Sequence, residues 1–138
     1  MKRFVALLIT GTLSSFIFSP AQVSAQGTWK QLPVTPITRT ENSSVLLDGK
    51  IYVLGGFTPK GTTTRVDVWN PILNNWSIAV PLPQALHHTT AVVVNGKIYV
   101  IGGFKNGFWK PINTTYEYDP DLQKWFNKTT MPTARGAH

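Results

Sequence analysis

Few side chains in this 138-residue chain are equipped for chemistry, and they are unevenly placed. Adjacent His87 and His88 invite a metal-ligand or general-base reading. Successive residues of an extended strand point to opposite faces, however, so the two are not expected to share one ion. No Asp, Glu or Cys lies close to them in sequence, and no metal site is expected. The acids suggest no catalytic pair: Asp67 and Glu117 read as equivalent strand positions of two copies of one pattern, and Asp119 and Asp121 belong to a turn. No nucleophile motif appears, and no glycine pair leads into the helix that a phosphate-cradling loop needs. No catalytic residue and no cofactor is therefore expected.

Binding chemistry is better represented. In Phe104-Lys105-Asn106-Gly107-Phe108-Trp109-Lys110, aromatics alternate with lysines around a glycine, a composition suited to stacking on a sugar ring or gripping a peptide. The competing structural role is that Phe108 and Trp109 fold back over apolar sheet. Arg39, four residues before the polar strand start at Ser43, and Arg135 fall at matching repeat positions, with Leu86 at the intermediate one. An arginine repeated there suits bidentate capture of carboxylates, and Leu86 interrupts the series.

These residues must be positioned by strands. Lys50-Ile51-Tyr52-Val53-Leu54-Gly55-Gly56 recurs 47 residues later as Lys97-Ile98-Tyr99-Val100-Ile101-Gly102-Gly103. A fixed period of this length marks a copied supersecondary module. Each copy predicts four short strands. The first spans 43–47 and 90–94, apolar runs expected to be covered on both faces, and leads through Asp48-Gly49 or Asn95-Gly96 into the second. Such pairs accept the positive φ of a type I′ hairpin. The third strand is Arg65–Trp69, aligned with Thr114–Tyr118, and closes on Asn70-Pro71 or Asp119-Pro120. The fourth carries Trp76 or Trp125, with Trp29 in the same phase ahead of the first copy. The glycine pairs are expected to let backbone approach where a Cβ would clash.

The glycine pairs (Gly55, Gly56, Gly102 and Gly103), the aromatics Trp69 and Tyr118, and the tryptophans Trp76 and Trp125 together resemble the kelch repeat. That resemblance implies an all-β fold: a partial kelch-type β-propeller with two four-stranded antiparallel blades plus flanking strands. The organisation expected is a strand of a closing blade at 28–33, a first repeat at 42–78, a second at 89–127 and the start of a third at 128–138. The remaining blades are expected in sequence beyond this segment. In such propellers the loops after the second strand and those leading into the first share one face. This places the binding surface at Arg39, Phe57, Leu86, His87, His88, Phe104, Lys105, Phe108, Trp109 and Lys110. The function implied is a binding module for a glycan, peptide or surface partner. The alternative is part of a kelch-fold carbohydrate-active enzyme, resembling a sialic-acid mutarotase or galactose oxidase, with its catalytic residues in other blades.

The N-terminus predicts export. Lys2 and Arg3 precede an apolar stretch from Phe4 to Phe18, Pro20 breaks it, and Val23-Ser24-Ala25 offers a cleavage site before Gln26. The stretch is shorter than a membrane span, so residues 1–25 read as a cleaved signal rather than a stable membrane anchor. The protein is expected to be secreted, periplasmic or at the cell surface. Cysteine is absent, so no disulfide contributes. The net charge of +7 comes from scattered cations without a basic stripe, which argues against a nucleic-acid partner.

Overall fold

The computed structural model describes residues 27–106 and 110–138. The chain divides into two units, Met1–Lys30 and Gln31–His138; of the first, only residues 27–30 are described, and they form no helix or strand. The signal sequence expected at 1–25 lies outside the described residues. None of the described residues forms a helix long and apolar enough to cross a membrane.

The second unit is all-β. Its described residues form the strands β1 (Ser43–Leu47), β2 (Lys50–Leu54), β3 (Phe57–Thr58), β4 (Gly61–Thr62), β5 (Val66–Asn70), β6 (Asn75–Ile78), β7 (Leu86–His87), β8 (Thr90–Val94), β9 (Lys97–Ile101), β10 (Phe104–Lys105), β11 (Thr115–Asp119) and β12 (Lys124–Lys128). Two four-stranded antiparallel sheets result, ordered β1-β2-β5-β6 and β8-β9-β11-β12, with small pairings of β3 with β4 and β7 with β10. Local chemistry explains the hairpins. Asp48 and Gly49, and likewise Asn95 and Gly96, all take positive φ, as a type I′ turn requires. At the next corner the Asn70 carboxamide oxygen accepts from the backbone N–H of Ile72 and Leu73, and Asp119 does the same for Asp121 and Leu122.

The core lies between the two sheets. Tyr52, Leu54, Val66 and Val68 of blade one are buried together with Ile98, Val100, Tyr116 and Tyr118 of blade two. The register places Tyr52 opposite Val68 and Leu54 opposite Val66 on one sheet, and Ile98 opposite Tyr118 and Val100 opposite Tyr116 on the other. Aligned repeat positions therefore face opposite ways relative to the core: Tyr52 is buried, whereas Tyr99, its counterpart, lies on the far side of blade two. Full coverage of the first strands is not found, since Val92, Val93 and Val94 of β8 remain exposed. The Trp76 and Trp125 indoles also anchor connectors. Trp76 Nε1–H donates to the Pro33 carbonyl at 3.1 Å and Trp125 Nε1–H to the Val80 carbonyl at 3.1 Å.

Residues 27–35 are assigned to no strand here, and the strand expected at 28–33 would pair with a blade that the two described sheets do not include. One expectation changes. Asp67 and Glu117 are not equivalent positions. Asp67 pairs opposite Val53 and Glu117 opposite Tyr99, adjacent rungs whose side chains leave opposite faces of the sheet. Val68 is the counterpart of Glu117, and Tyr116 that of Asp67.

Candidate functional site

The first glycine pair brings blade one into backbone contact with the lead-in of blade two, and the second brings blade two into contact with the segment that follows it. Gly55 and Gly56 have φ of 61° and 97°, Gly102 and Gly103 of 58° and 100°. A Cβ on Gly55 would meet the Leu86 carbonyl oxygen, and one on Gly102 the Arg135 carbonyl oxygen. The next residue makes use of the closeness: Gly56 N–H donates to the Leu86 carbonyl and Gly103 N–H to that of Arg135, both at 2.8 Å. Leu86 and Arg135 are thus the same position on successive lead-in segments, 85–89 and 134–138. Leu86 is buried core and contributes its backbone to this contact.

Arg39 has the same phase, but its side chain is turned inward. Its guanidinium pairs with Asp67 and donates to the Gly55 and Arg65 carbonyls, each at 3.2 Å. Arg65 completes the cluster with Nη2 at 2.8 Å from Asp67 Oδ1. The Arg39 side chain is 3% exposed and that of Asp67 0%. Burial, reinforced by the nearby Arg65 charge, lowers the Arg39 pKa. Arg39 does receive a carboxylate, but an internal one, and it tethers the end of β2 to the start of β5. Blade two has Leu86, Thr114 and Tyr116 at these three positions, so the whole cluster is replaced there.

The aromatic and imidazole groups converge instead. The His87 ring lies between Phe57, at 4.0 Å between centroids, and Phe104, at 5.5 Å and nearly parallel. His88 meets the Phe104 edge at 5.8 Å. The expectation that His87 and His88 diverge is overturned: their Nδ1 atoms are 2.7 Å apart, so one carries the proton and donates to the other. The reason is backbone geometry. His88 has φ of 51°, which ends the alternation of an extended strand and swings its ring back over His87. His88 Nε2–H then donates to Glu41 Oε2 at 2.9 Å. Glu41 is the residue that sequence reading missed, because it lies 47 positions away with nothing local to join it to the histidines. Among the described residues no group of three or more His, Asp or Glu side chains is arranged to hold a metal ion.

Of the other expected site residues, Lys105 pairs opposite Leu86 in the short β7–β10 ladder and is half-buried, while Lys110 is exposed. Phe108 and Trp109 lie outside the described residues. A further charged cluster sits on the far face of blade two. Glu117 accepts from Tyr99 Oη at 2.5 Å and from Lys128 Nζ at 3.0 Å, and Lys97 Nζ reaches Asp119 at 2.7 Å. Hydrogen bonds from Tyr99 and then Lys128 lower the Glu117 pKa, and the bond from Lys97 lowers that of Asp119. These groups are satisfied by one another.

Comparison with known sequences and structures matches this geometry. The Kelch motif family pattern covers residues 38–83 and 85–132, one match per blade. The chain belongs to the kelch-repeat family. It is 32% identical over 127 residues to "Kelch-like protein terF" of Aspergillus terreus, covering 83% of this chain and 28% of the relative. It is 39% identical over 54 residues to human "Kelch-like protein 6", covering 39% of this chain and 9% of that protein. The solved "Structure of YjhT" superposes with a TM-score of 0.70 at 23% identity, covering 79% of this chain and 43% of that one, a likeness of fold. The chain thus spans 28% and 9% of the two curated relatives and less than half of the solved structure. As a pair of kelch blades, it has the architecture of a repeat-built interaction module, with Phe57, His87, His88 and Phe104 gathered where post-glycine loops meet lead-in segments.

Proposed function

We propose that this kelch module is exported and binds an acidic segment of a protein partner through the loops that follow its two glycine pairs. One observation carries the reading. Phe57 to Thr64 holds Lys60 and no acid, and Phe104 to Asn113 holds Lys105 and Lys110 and no acid. Both segments leave their sheets directly after the glycine pair, so the chain carries Lys60, Lys105 and Lys110 at corresponding ends of the blades. The neighbouring cations that could have dispersed over this surface are otherwise engaged, Arg39 and Arg65 on Asp67. Kelch repeats generally mediate protein–protein contacts, which favours a peptide over a glycan, although an acidic sugar would use the same charges.

The test is titration of the whole protein with an acidic peptide panel, a neutral panel and sialylated glycans at two salt concentrations. Acidic peptides should bind with affinity that falls as salt rises, and the Lys105→Gln/Lys110→Gln double variant should weaken binding about tenfold or more, as expected for two lost charge-assisted contacts of roughly 1 kcal/mol each. Unchanged affinity in the double variant would overturn the reading; selective binding of the sialylated arm would replace peptide by glycan. Export has a separate check. The protein recovered from outside the cytoplasm should begin at Gln26, and a mature product retaining residues 1–25 would refute cleavage.

A further inference from the structure

The lead-in segments pass one another in a common backbone conformation. Glu41, His88 and Ala137 occupy the same repeat position, and all three take left-handed φ of 54°, 51° and 57°. They are linked in series, His88 N–H donating to the Glu41 carbonyl and Ala137 N–H to the His88 carbonyl, both at 2.9 Å. Hydroxyls repeat the linkage one step along: Ser43 Oγ donates to the Thr89 carbonyl, and Thr90 Oγ1 to that of His138 at 2.6 Å. At the shared position, the first junction sets Glu41 from the lead-in of blade one against His88 from that of blade two, whereas the second sets His88 against Ala137.

We propose that Glu41, His88 and His87 form a proton-operated latch between the two lead-in segments, closed while the histidine pair holds at most one added proton and opened by the second. The geometry dictates the count. With both rings neutral, His88 Nε2–H is given to Glu41, so His88 Nδ1 accepts and His87 Nδ1–H donates. One further proton makes His88 an imidazolium that donates from both nitrogens, to the Glu41 carboxylate and to His87 Nδ1, once His87 shifts to its other tautomer. The contact survives and the bond to Glu41 becomes a full ion pair. A second proton sets two Nδ1–H groups against each other across 2.7 Å, and the contact cannot persist. The rings then separate, and His87 leaves the stack between Phe57 and Phe104.

The surroundings favour this order. Burial, followed by the neighbouring His88, lowers the His87 pKa, with Glu41 opposing. The folded state therefore holds fewer protons at His87 than the unfolded chain. The stabilisation is present above the ordinary histidine value of about 6.5 and is lost as pH falls below it through the depressed value. Among the described residues, the elements packed around the pair also carry the charged or titratable groups Lys105 on β10, Arg135 and His138 on the third lead-in segment, and Arg39, which is turned away onto Asp67; none of these is a carboxylate.

Histidine-labelled whole protein, titrated by NMR between pH 8 and 4, tests the latch. The ring signals of His87 and His88 should move in two separated steps that belong to the pair. The ring-current displacement imposed on His87 by Phe57 and Phe104 should collapse only in the lower step. Glu41→Gln should move the upper step to lower pH. His87→Phe, which keeps a ring in the stack, should leave His88 with a single step and abolish the acid-induced opening. A single common step with ring-current shifts intact down to pH 4 would overturn the proposal, as would steps unmoved by Glu41→Gln.

Discussion

Asp67→Ala is expected to cost blade one about 3–5 kcal/mol, because it leaves the Arg39 charge buried without its carboxylate. The penalty is mainly one of desolvation. Arg39 is held in place by its donations to the Gly55 and Arg65 carbonyls, so it cannot simply turn out into water without breaking the tether between β2 and β5. Arg65 is better placed to escape, its side chain being 30% exposed. Urea unfolding followed through Trp69 and Trp76 fluorescence measures the loss. The decisive comparison is with Arg39→Leu/Arg65→Thr/Asp67→Tyr, which installs the residues that blade two carries at the same positions. This triple variant should be less destabilised than Asp67→Ala, since no unpaired charge remains buried and the three sites share one network. A triple variant that loses the sum of its single substitutions would show that the cluster is not acting as a unit.

Gly55→Ala is the second large effect, about 2–4 kcal/mol. Part of it, roughly 1–2 kcal/mol, is the cost of a Cβ in left-handed backbone at φ of 61°. The rest comes from the Leu86 carbonyl oxygen, which occupies the space the methyl would need. That oxygen belongs to the backbone of the next lead-in segment and accepts the Gly56 N–H, so yielding means pulling the blades apart at this point. Gly49→Ala is the control. Its φ is also positive, at 70°, but a Cβ there meets nothing within 4 Å, so it should lose only the conformational part. Equal losses in the two variants, read from thermal unfolding, would show that inter-blade contact at Gly55 contributes nothing.

The strands were legible because their determinants are local. Asp48-Gly49 and Asn95-Gly96 specify the turn by conformational tolerance alone, and Asn70 and Asp119 cap the next corner with their own side chains. A period of 47 residues then identified the module without knowledge of any contact. The third strands begin one residue later than expected, at Val66 and Thr115, a difference at the limit of what local propensity specifies. The site was only partly legible. Phe57, Phe104 and the histidines could be named from their phase after the glycines and before the first strands, but their mutual geometry could not. His88 turns on a left-handed φ that histidine adopts more readily than most residues, yet Glu41 and Ala137 take the same conformation with no compositional hint. Glu41 was invisible as a partner for that reason.

By itself, therefore, the sequence determined the kelch repeat, the two four-stranded blades and the loops on which binding chemistry would be carried, since turn residues, glycine pairs and strand periodicity act within a few positions of one another. Only the tertiary structure decided which face of each blade is buried, that Arg39 serves Asp67 rather than a ligand, and that Glu41, His88 and His87 form one hydrogen-bonded chain. Those outcomes depend on groups 28 to 47 residues apart meeting across a sheet or between two blades. Burial and exclusion of water select such contacts, and no local pattern encodes them.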